Sequence, residues 1–356
     1  MQLTRFAAFL AVGFTLAACG GGVSNQVVPA KKVALLLPDT TNARYEAQDR
    51  PLFQAKLRSL CQDCQVIYRN ANGDAAAQLQ QADYALGAGA GVLVLDPVDA
   101  ESAAAIASRA ANRRVPVVAY DGLVANTSSL SYFIGFDQRA IGALQGGALL
   151  AALKTPAQAS VVMLNGDPAD RDAGALKKAV HKAIDGKMTV AKEFDVAAAS
   201  SDGAQLAMAQ ALTALKGKVD AVYGANDEIA SGAVAAMKQA GLKTLPPVTG
   251  GDTELSAVQR IISGEQYMTV YRPVRQEAEA AAQVAYDLVY GVAVPSSLVA
   301  ANSVNNGSAD VPAVLIQPVA VTRRTLISTV IADGFWTRAD ICTAAYTQAC
   351  QAAGLS

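Results

Sequence analysis

Short runs of Val, Leu and Ile recur along this chain, each followed by an Ala-rich stretch of helical periodicity. Residues 33–37, 66–68, 91–95, 115–120 and 132–135 read as strands. Helical patterns over 44–60, 74–88 and 99–112 lie between them. The pattern restarts at Asp137, which opens a long helix to Leu153. Strands at 161–164, 190–194, 221–223, 248–249 and 267–271 follow. Helices centred near Lys178, Ala209, Val234 and Val258 separate them, and another runs over 275–290. Continuous apolar strands alternating with helices require parallel sheets covered on both faces. The expected fold class is therefore α/β, with two similar doubly wound parallel-sheet lobes. The cleft between such lobes is a common ligand site.

The first thirty residues read as an export leader rather than as fold. Arg5 supplies a positive n-region, residues 6–16 a short apolar core, and Leu16-Ala17-Ala18-Cys19 a bacterial lipobox. The apolar run is too short to span a bilayer but suits an export signal. Residues 1–18 are thus expected to be a lipoprotein signal peptide. A diacylated Cys19 would be the new N-terminus, and 19–31 a flexible tether to the membrane. The alternative is a plain secretory signal with a chance cysteine. The remainder is long enough for two ordinary domains. Its 52% hydrophobic and 17% charged residues favour large packed cores over disorder. A net charge of −1 gives no reason to expect nucleic acid as a partner. The single histidine, His181, lies among Lys177, Lys178 and Lys182 and reads as solvent-facing.

Beyond Cys19 there are four cysteines, Cys61, Cys64, Cys342 and Cys350. In an exported chain an even number suggests disulfides. Local pairs, Cys61 with Cys64 and Cys342 with Cys350, are the simplest of three connectivities. Cys61-Gln-Asp-Cys64 also has the spacing of a redox dithiol, but it lies between a helix and the next strand. A structural staple fits that place better. No second ligand pair accompanies it, so no metal is expected.

The strand ends share a feature. They lead to Asp39, Asp96, Asp121, Asp137, a group of Asn165, Asp167 and Asp172, the pair Asn226-Asp227, and Asp252. In parallel sheets these carboxyl ends lie along one edge. One such residue alone reads as a helix cap, and Asp96 and Asp227 are expected to be caps. Seven together read as a cleft lining. A carboxylate accepts strongly from adjacent hydroxyls, and Asn both donates and accepts, so a neutral sugar is a natural occupant. Arg44 and Arg272 would add planar donor groups, and Tyr45 an aromatic face for a pyranose.

Eight segments carry a family resemblance: "ARYEAQDR" (43–50), "NANGDAAAQLQQ" (70–81), "GVLVLDPVD" (91–99), "VPVVAYD" (115–121), "YFIGFDQRAIG" (132–142), "YGANDEIASGAV" (223–234), "TGGDTEL" (249–255) and "YMTVYRPV" (267–274). In order and spacing the chain resembles the type I periplasmic sugar-binding proteins of ABC importers, most closely the xylose-binding proteins. The resemblance runs from about Lys32 to Trp336. It implies a hinged clamp in which three strands cross between lobes, near Asp137, Arg272 and Pro318. The first lobe would hold 32–136 plus 273–317 and the second 137–272 plus 318–356. It implies ligand contacts from Arg44, Tyr45, Asp121, Asp137, Asp172, Asn226, Asp252 and Arg272, no cofactor, a monomer, and an ABC permease that recognises the closed form.

Two positions depart from the xylose-binder pattern. Gly122 stands where an Arg is usual, and Ala199 where a second-lobe Trp is usual. The class of a monosaccharide is therefore firmer than the name xylose. A repressor with the same core would need a DNA-reading element where the lipobox lies. A glycoside-acting enzyme would need one acid–base pair singled out, and none is; with one histidine, a Ser-His-Asp triad is not expected either. A receptor passing sugar or signal-molecule occupancy to a sensor kinase or chemoreceptor would use the same clamp.

Overall fold

The computed structural model describes residues 31–40, 44–168, 170–299 and 302–355. Cys19 and the leader lie outside the described residues. The strands, in chain order, are β1 (Lys32–Leu37), β2 (Gln65–Asn70), β3 (Val92–Leu95), β4 (Val117–Tyr120), β5 (Tyr132–Phe136), β6 (Ser160–Asn165), β7 (Thr189–Asp195), β8 (Ala221–Gly224), β9 (Val248–Thr249), β10 (Met268–Tyr271), β11 (Ser303–Asn305), β12 (Asp310–Ile316) and β13 (Val319–Thr322). They form a seven-stranded sheet, β11-β12-β5-β4-β3-β1-β2, and a six-stranded sheet, β13-β10-β9-β8-β6-β7.

The apolar runs explain the layering. Along β1, Val33, Leu35 and Leu37 enter one core cluster and Ala34 and Leu36 another. Successive side chains point to opposite faces, so a strand that is apolar throughout must be covered on both. The same split divides Val92 and Val94 from Leu93 and Leu95 in β3. Both sheets are mixed rather than wholly parallel. β11 runs antiparallel to β12, and β13 antiparallel to β10.

The chain passes between sheets three times. After β5, helix Gln138–Ala152 packs on β8, β9, β10 and β13. After β10, helix Val274–Tyr290 returns to pack on β1, β3, β4, β5 and β12. Between β12 and β13 only Gln317 and Pro318 intervene. One expected helix start is displaced. Residues 99–102 form turns in which Asp99 accepts from the Ser102 N–H, and the helix begins at Ala103.

The cysteines pair locally, Cys61 with Cys64 and Cys342 with Cys350. The first bridge joins the end of helix Arg50–Leu60 to the start of β2. The second ties down the C-terminal helices beside Val258 and Ile262.

His181 is more engaged than a solvent-facing residue. Its Nδ1 lies 3.0 Å from Asp185 and its Nε2 3.2 Å from Glu193. Burial opposes its charge, but these two carboxylates hold its pKa above the usual 6.5. A raised histidine contributes fully below the unfolded pKa, and the contribution is lost as pH rises through the folded one. The melting-temperature advantage of the wild type over His181→Gln should therefore shrink as pH is raised above 6.5. A difference independent of pH in a calorimetric series would contradict this.

Candidate ligand-binding site

Both sheets repeat one strand order: β2-β1-β3-β4-β5 in the first and β7-β6-β8-β9-β10 in the second. In such sheets the crevice lies beyond the carboxyl ends, at the switch point of the order. A cavity of about 470 Å³ is found there. Arg44, Tyr45, Gln48 and Asp121 line it from the first lobe, Asp252, Thr253 and Arg272 from the second, and Phe335 and Trp336 also face it. A second cavity of about 240 Å³ shares Asp252 and Arg272 and adds Gln138, Asp172, Ala199 and Asn226.

The first-lobe wall is built around one guanidinium. A widened π turn over Tyr45–Asp49 precedes helix Arg50–Leu60, a device frequent at functional sites. Arg44 donates from Nε and Nη2 to Asp49 at 3.0 and 2.8 Å. Its Nη2 also reaches Glu277 at 2.9 Å, and its Nη1 lies 3.2 Å from Asp121. Burial works against the Arg44 charge, but Asp121, Asp49 and Glu277 hold its pKa well above the ordinary value. Burial, then the Asp121 charge, push the Glu277 carboxyl well up. The Tyr120 hydroxyl donates to Asp49. Asp121 has a left-handed backbone, φ +56°, uncommon for a residue with a side chain and found often at binding sites.

Asp96, expected as a cap, is instead buried beneath this wall. Its Oδ1 accepts from the Gly122 N–H at 3.3 Å. Burial and then Asp121 raise its pKa well above the usual range. At Gly122 a Cβ would stand 2.8 Å from Pro97 Cδ and 3.0 Å from Asp96 Oδ1. A side chain there would force the Pro97 loop to move.

On the second-lobe wall Asn226 lines the smaller cavity as expected, but the capping role expected of Asp227 also falls to it. Asn226 is the cap: its Oδ1 accepts from the Ile229 N–H at 2.9 Å. That leaves its NH₂, a donor, for a ligand oxygen. Asp227 is fully buried and does not cap. Its Oδ1 accepts from Gln266 Nε2 at 2.8 Å, and its Oδ2 from Thr269 Oγ1 at 2.8 Å and the Glu254 N–H at 3.0 Å. Burial first, then Asp252, push its pKa up to about 8, against those hydrogen bonds. Gly250 is required here, because a Cβ would lie 2.2 Å from Asp227 Oδ1. Buried Gln145 donates to the carbonyls of Gly224 and Gly250, both at 3.0 Å, fixing the ends of β8 and β9 together.

The loop so held carries Asp252 and Thr253, both left-handed at φ +87° and +58°. Asp252 lies 3.4 Å from Arg272 Nη2. Burial opposes the Arg272 charge, whereas Asp252 and, across the cleft, Asp121 raise its pKa. Asp172 accepts from Gln138 Nε2 at 3.2 Å. Its pKa is raised by burial and by Asp170.

Seven of the eight residues named from the sequence thus line one or other cavity, and Asp137 does not. The Asp137 carboxylate caps its helix through the Arg139 N–H at 2.9 Å and meets Arg139 Nε at 3.0 Å. Its neighbour Gln138 faces the smaller cavity instead. Sequence reasoning missed Asp49, Glu277, Gln48, Phe335 and Trp336. The chain's single tryptophan, Trp336, was a detectable signal, since a large apolar ring with one N–H donor is enriched at interfaces.

Two topologically equivalent lobes meeting over a cavity lined by both aromatic and charged side chains define a two-lobed binding protein. The chain belongs to the periplasmic binding protein family: the profile of the periplasmic binding protein domain matches residues 33–292. It is 33% identical over 315 residues to the D-xylose-binding periplasmic protein of Haemophilus influenzae, covering 87% of this chain and 92% of that one. It is 31% identical over 309 residues to the D-xylose-binding periplasmic protein of Escherichia coli, covering 85% and 90%. In fold it is similar to an ABC transporter solute binding protein from Clostridium phytofermentans with bound β-D-glucose, with a TM-score of 0.75 and 24% identity over 87% of this chain and 100% of that one. These relatives are binding proteins, not enzymes.

Asp227 supports the site without lining either cavity. Above about pH 8, where Asp227 is ionised, Asp227→Asn places an NH₂ among three donors and should cost about 1–3 kcal/mol. Urea unfolding would check this; an unchanged midpoint would contradict the buried role.

Proposed function

We propose that this chain is the extracytoplasmic solute-binding protein of an ABC importer, holding a neutral monosaccharide in the cleft between its lobes. The observation that carries the reading is the convergence of Arg44, Tyr45 and Asp121 from one sheet and Asn226, Asp252 and Arg272 from the other on contiguous cavities. Carboxylates accept from hydroxyls, and the Asn226 NH₂ and the Arg272 guanidinium donate to ring and hydroxyl oxygens. The cavity volume is within the range of small-molecule sites. A xylose-like pentose or a related sugar is the proposed ligand, in line with the names of the relatives.

The lobes are assigned as 32–136 with 273–317 and 137–272 with 318–356, hinged at the three inter-sheet passages. Sugar touches both walls only when they are together, so its differential contacts stabilise the closed form. That form is what a permease would recognise. The leader reading adds a lipid anchor at Cys19. Ligand contact is assigned to Asp172 beside the other six; for Asp137, the notion of a direct contact gives way to helix capping.

Gly122 and Ala199 bear on which sugar fits. Neither supplies the donor fork or stacking ring usual in xylose binders, and Gly122 is closely covered by Pro97. A thermal-shift screen of pentoses, hexoses and polyols should pick out neutral sugars that raise the melting temperature by mass action. Asn226→Ala and Asp252→Ala should each weaken the best of them at least tenfold, about 1.4 kcal/mol, while leaving the protein folded. Unaltered affinity in both variants would refute the site assignment.

A further inference from the structure

The segment after β13 is anchored on the second lobe. Leu326, Val330, Ile341 and Cys350 pack with Val258 and Ile262, and the Cys342–Cys350 bridge closes the end. From this base residues 333–336 reach the mouth of the larger cavity, where Phe335 and Trp336 form part of its wall.

Among the described residues, four polar side-chain contacts tie that tip to other elements. The Trp336 Nε1–H donates to the Thr253 carbonyl at 2.8 Å. The Asp333 carboxylate accepts from the Tyr271 hydroxyl. Two more contacts come from the first lobe. Gln48 Nε2, in the π turn, donates to the Phe335 carbonyl at 3.5 Å. Arg275 Nε, on the helix that packs against the first sheet, lies 3.5 Å from Asp333 Oδ1. The rings are fixed edge-on, Phe335 against Tyr271 at 5.2 Å and against Trp336 at 5.4 Å.

We propose that residues 333–336 are a positioning strap that holds the Asp252–Thr253 loop in its binding shape and biases the two lobes toward closure. This rests on the cleft being the ligand site. Asp252 and Thr253 occupy a sparsely populated backbone region that persists only when its surroundings over-determine it. Asp227 holds the next N–H and Thr269 the Thr253 N–H, which leaves the carbonyl to Trp336. The Gln48 and Arg275 contacts exist only while the lobes stand this close. Losing them shifts the population toward separated lobes, and apparent affinity falls with the fraction competent to bind.

The test pairs small-angle scattering of the sugar-free protein with calorimetric titration of the best sugar from the thermal screen. Arg275→Ala combined with Gln48→Ala should enlarge the radius of gyration of the sugar-free protein, and Arg275→Lys alone should keep it near wild type. The double variant should raise Kd at least threefold, as should Trp336→Phe, which keeps a ring but no N–H. Because Trp336 is the only tryptophan, its emission in sugar-free wild type and double variant reports the tip directly and should shift to the red in the variant. Superimposable scattering and emission overturn the strap, and an unchanged Kd in Trp336→Phe overturns its hold on the loop. If the wild type binds no sugar, the functional reading falls, while scattering and emission still decide the strap.

Discussion

The Arg44 guanidinium is the point on which the first lobe depends. Its donors join a turn near the start of the chain, the loop after β4 and a helix more than two hundred residues later, through Asp49, Asp121 and Glu277. A buried charge is tolerable only when paired and hydrogen-bonded. Here the pairing also fixes Asp121, one face of the cleft. Removing Arg44 would leave several carboxyls crowded together with no cation among them, so the shape of the cavity wall and the integrity of the lobe are tied to one side chain.

The second lobe solves the matching problem around a carboxyl instead of a guanidinium. Asp227 is the buried centre, and neutral donors from β10, its preceding turn and the loop after β9 converge on it. Gln145 adds a brace from the helix that enters the lobe. Each lobe therefore carries a buried polar hub just behind its strand ends, and each hub supports a left-handed Asp, Asp121 or Asp252, at the cavity wall. Glu277 Oε1 and Gln145 Oε1 have no hydrogen-bond partner among the described residues, but the bonds that are made tie the ends of several strands together behind each wall of the cavity.

The sheet strands up to residue 271 were legible because β1, β3, β4, β6 and β8 are buried on both faces and so carry unbroken apolar runs. The last strands were not. β12 carries Pro312, which argues against a strand interior; it lies ahead of the stretch paired with β5, which begins at Ala313, and faces only the short edge strand β11. Asn226 and Asp252 were legible because a polar residue at the carboxyl end of a buried strand stands out against its neighbours. The division of labour between Asn226 and Asp227 was not, because it depends on Gln266 and Thr269, some forty residues away. Asp49 and Glu277 were hidden for the same reason: within their own helices they read as ordinary surface acids, and only the tertiary approach of Arg44 buries them. Trp336 lies in a segment without strong periodicity, whose position is set by the Cys342–Cys350 bridge and the packing of Leu326 and Val330.

The proposed sugar site lies in the space between Asp121 and Asn226. The most direct measurement is a crystal structure of the protein grown with a saturating neutral monosaccharide. One sugar ring is expected in the cleft, within hydrogen-bonding distance of Asp121 on one lobe and of Asn226 and Asp252 on the other. A cleft without sugar, or a sugar held by one lobe alone with the lobes apart, would contradict the proposed site.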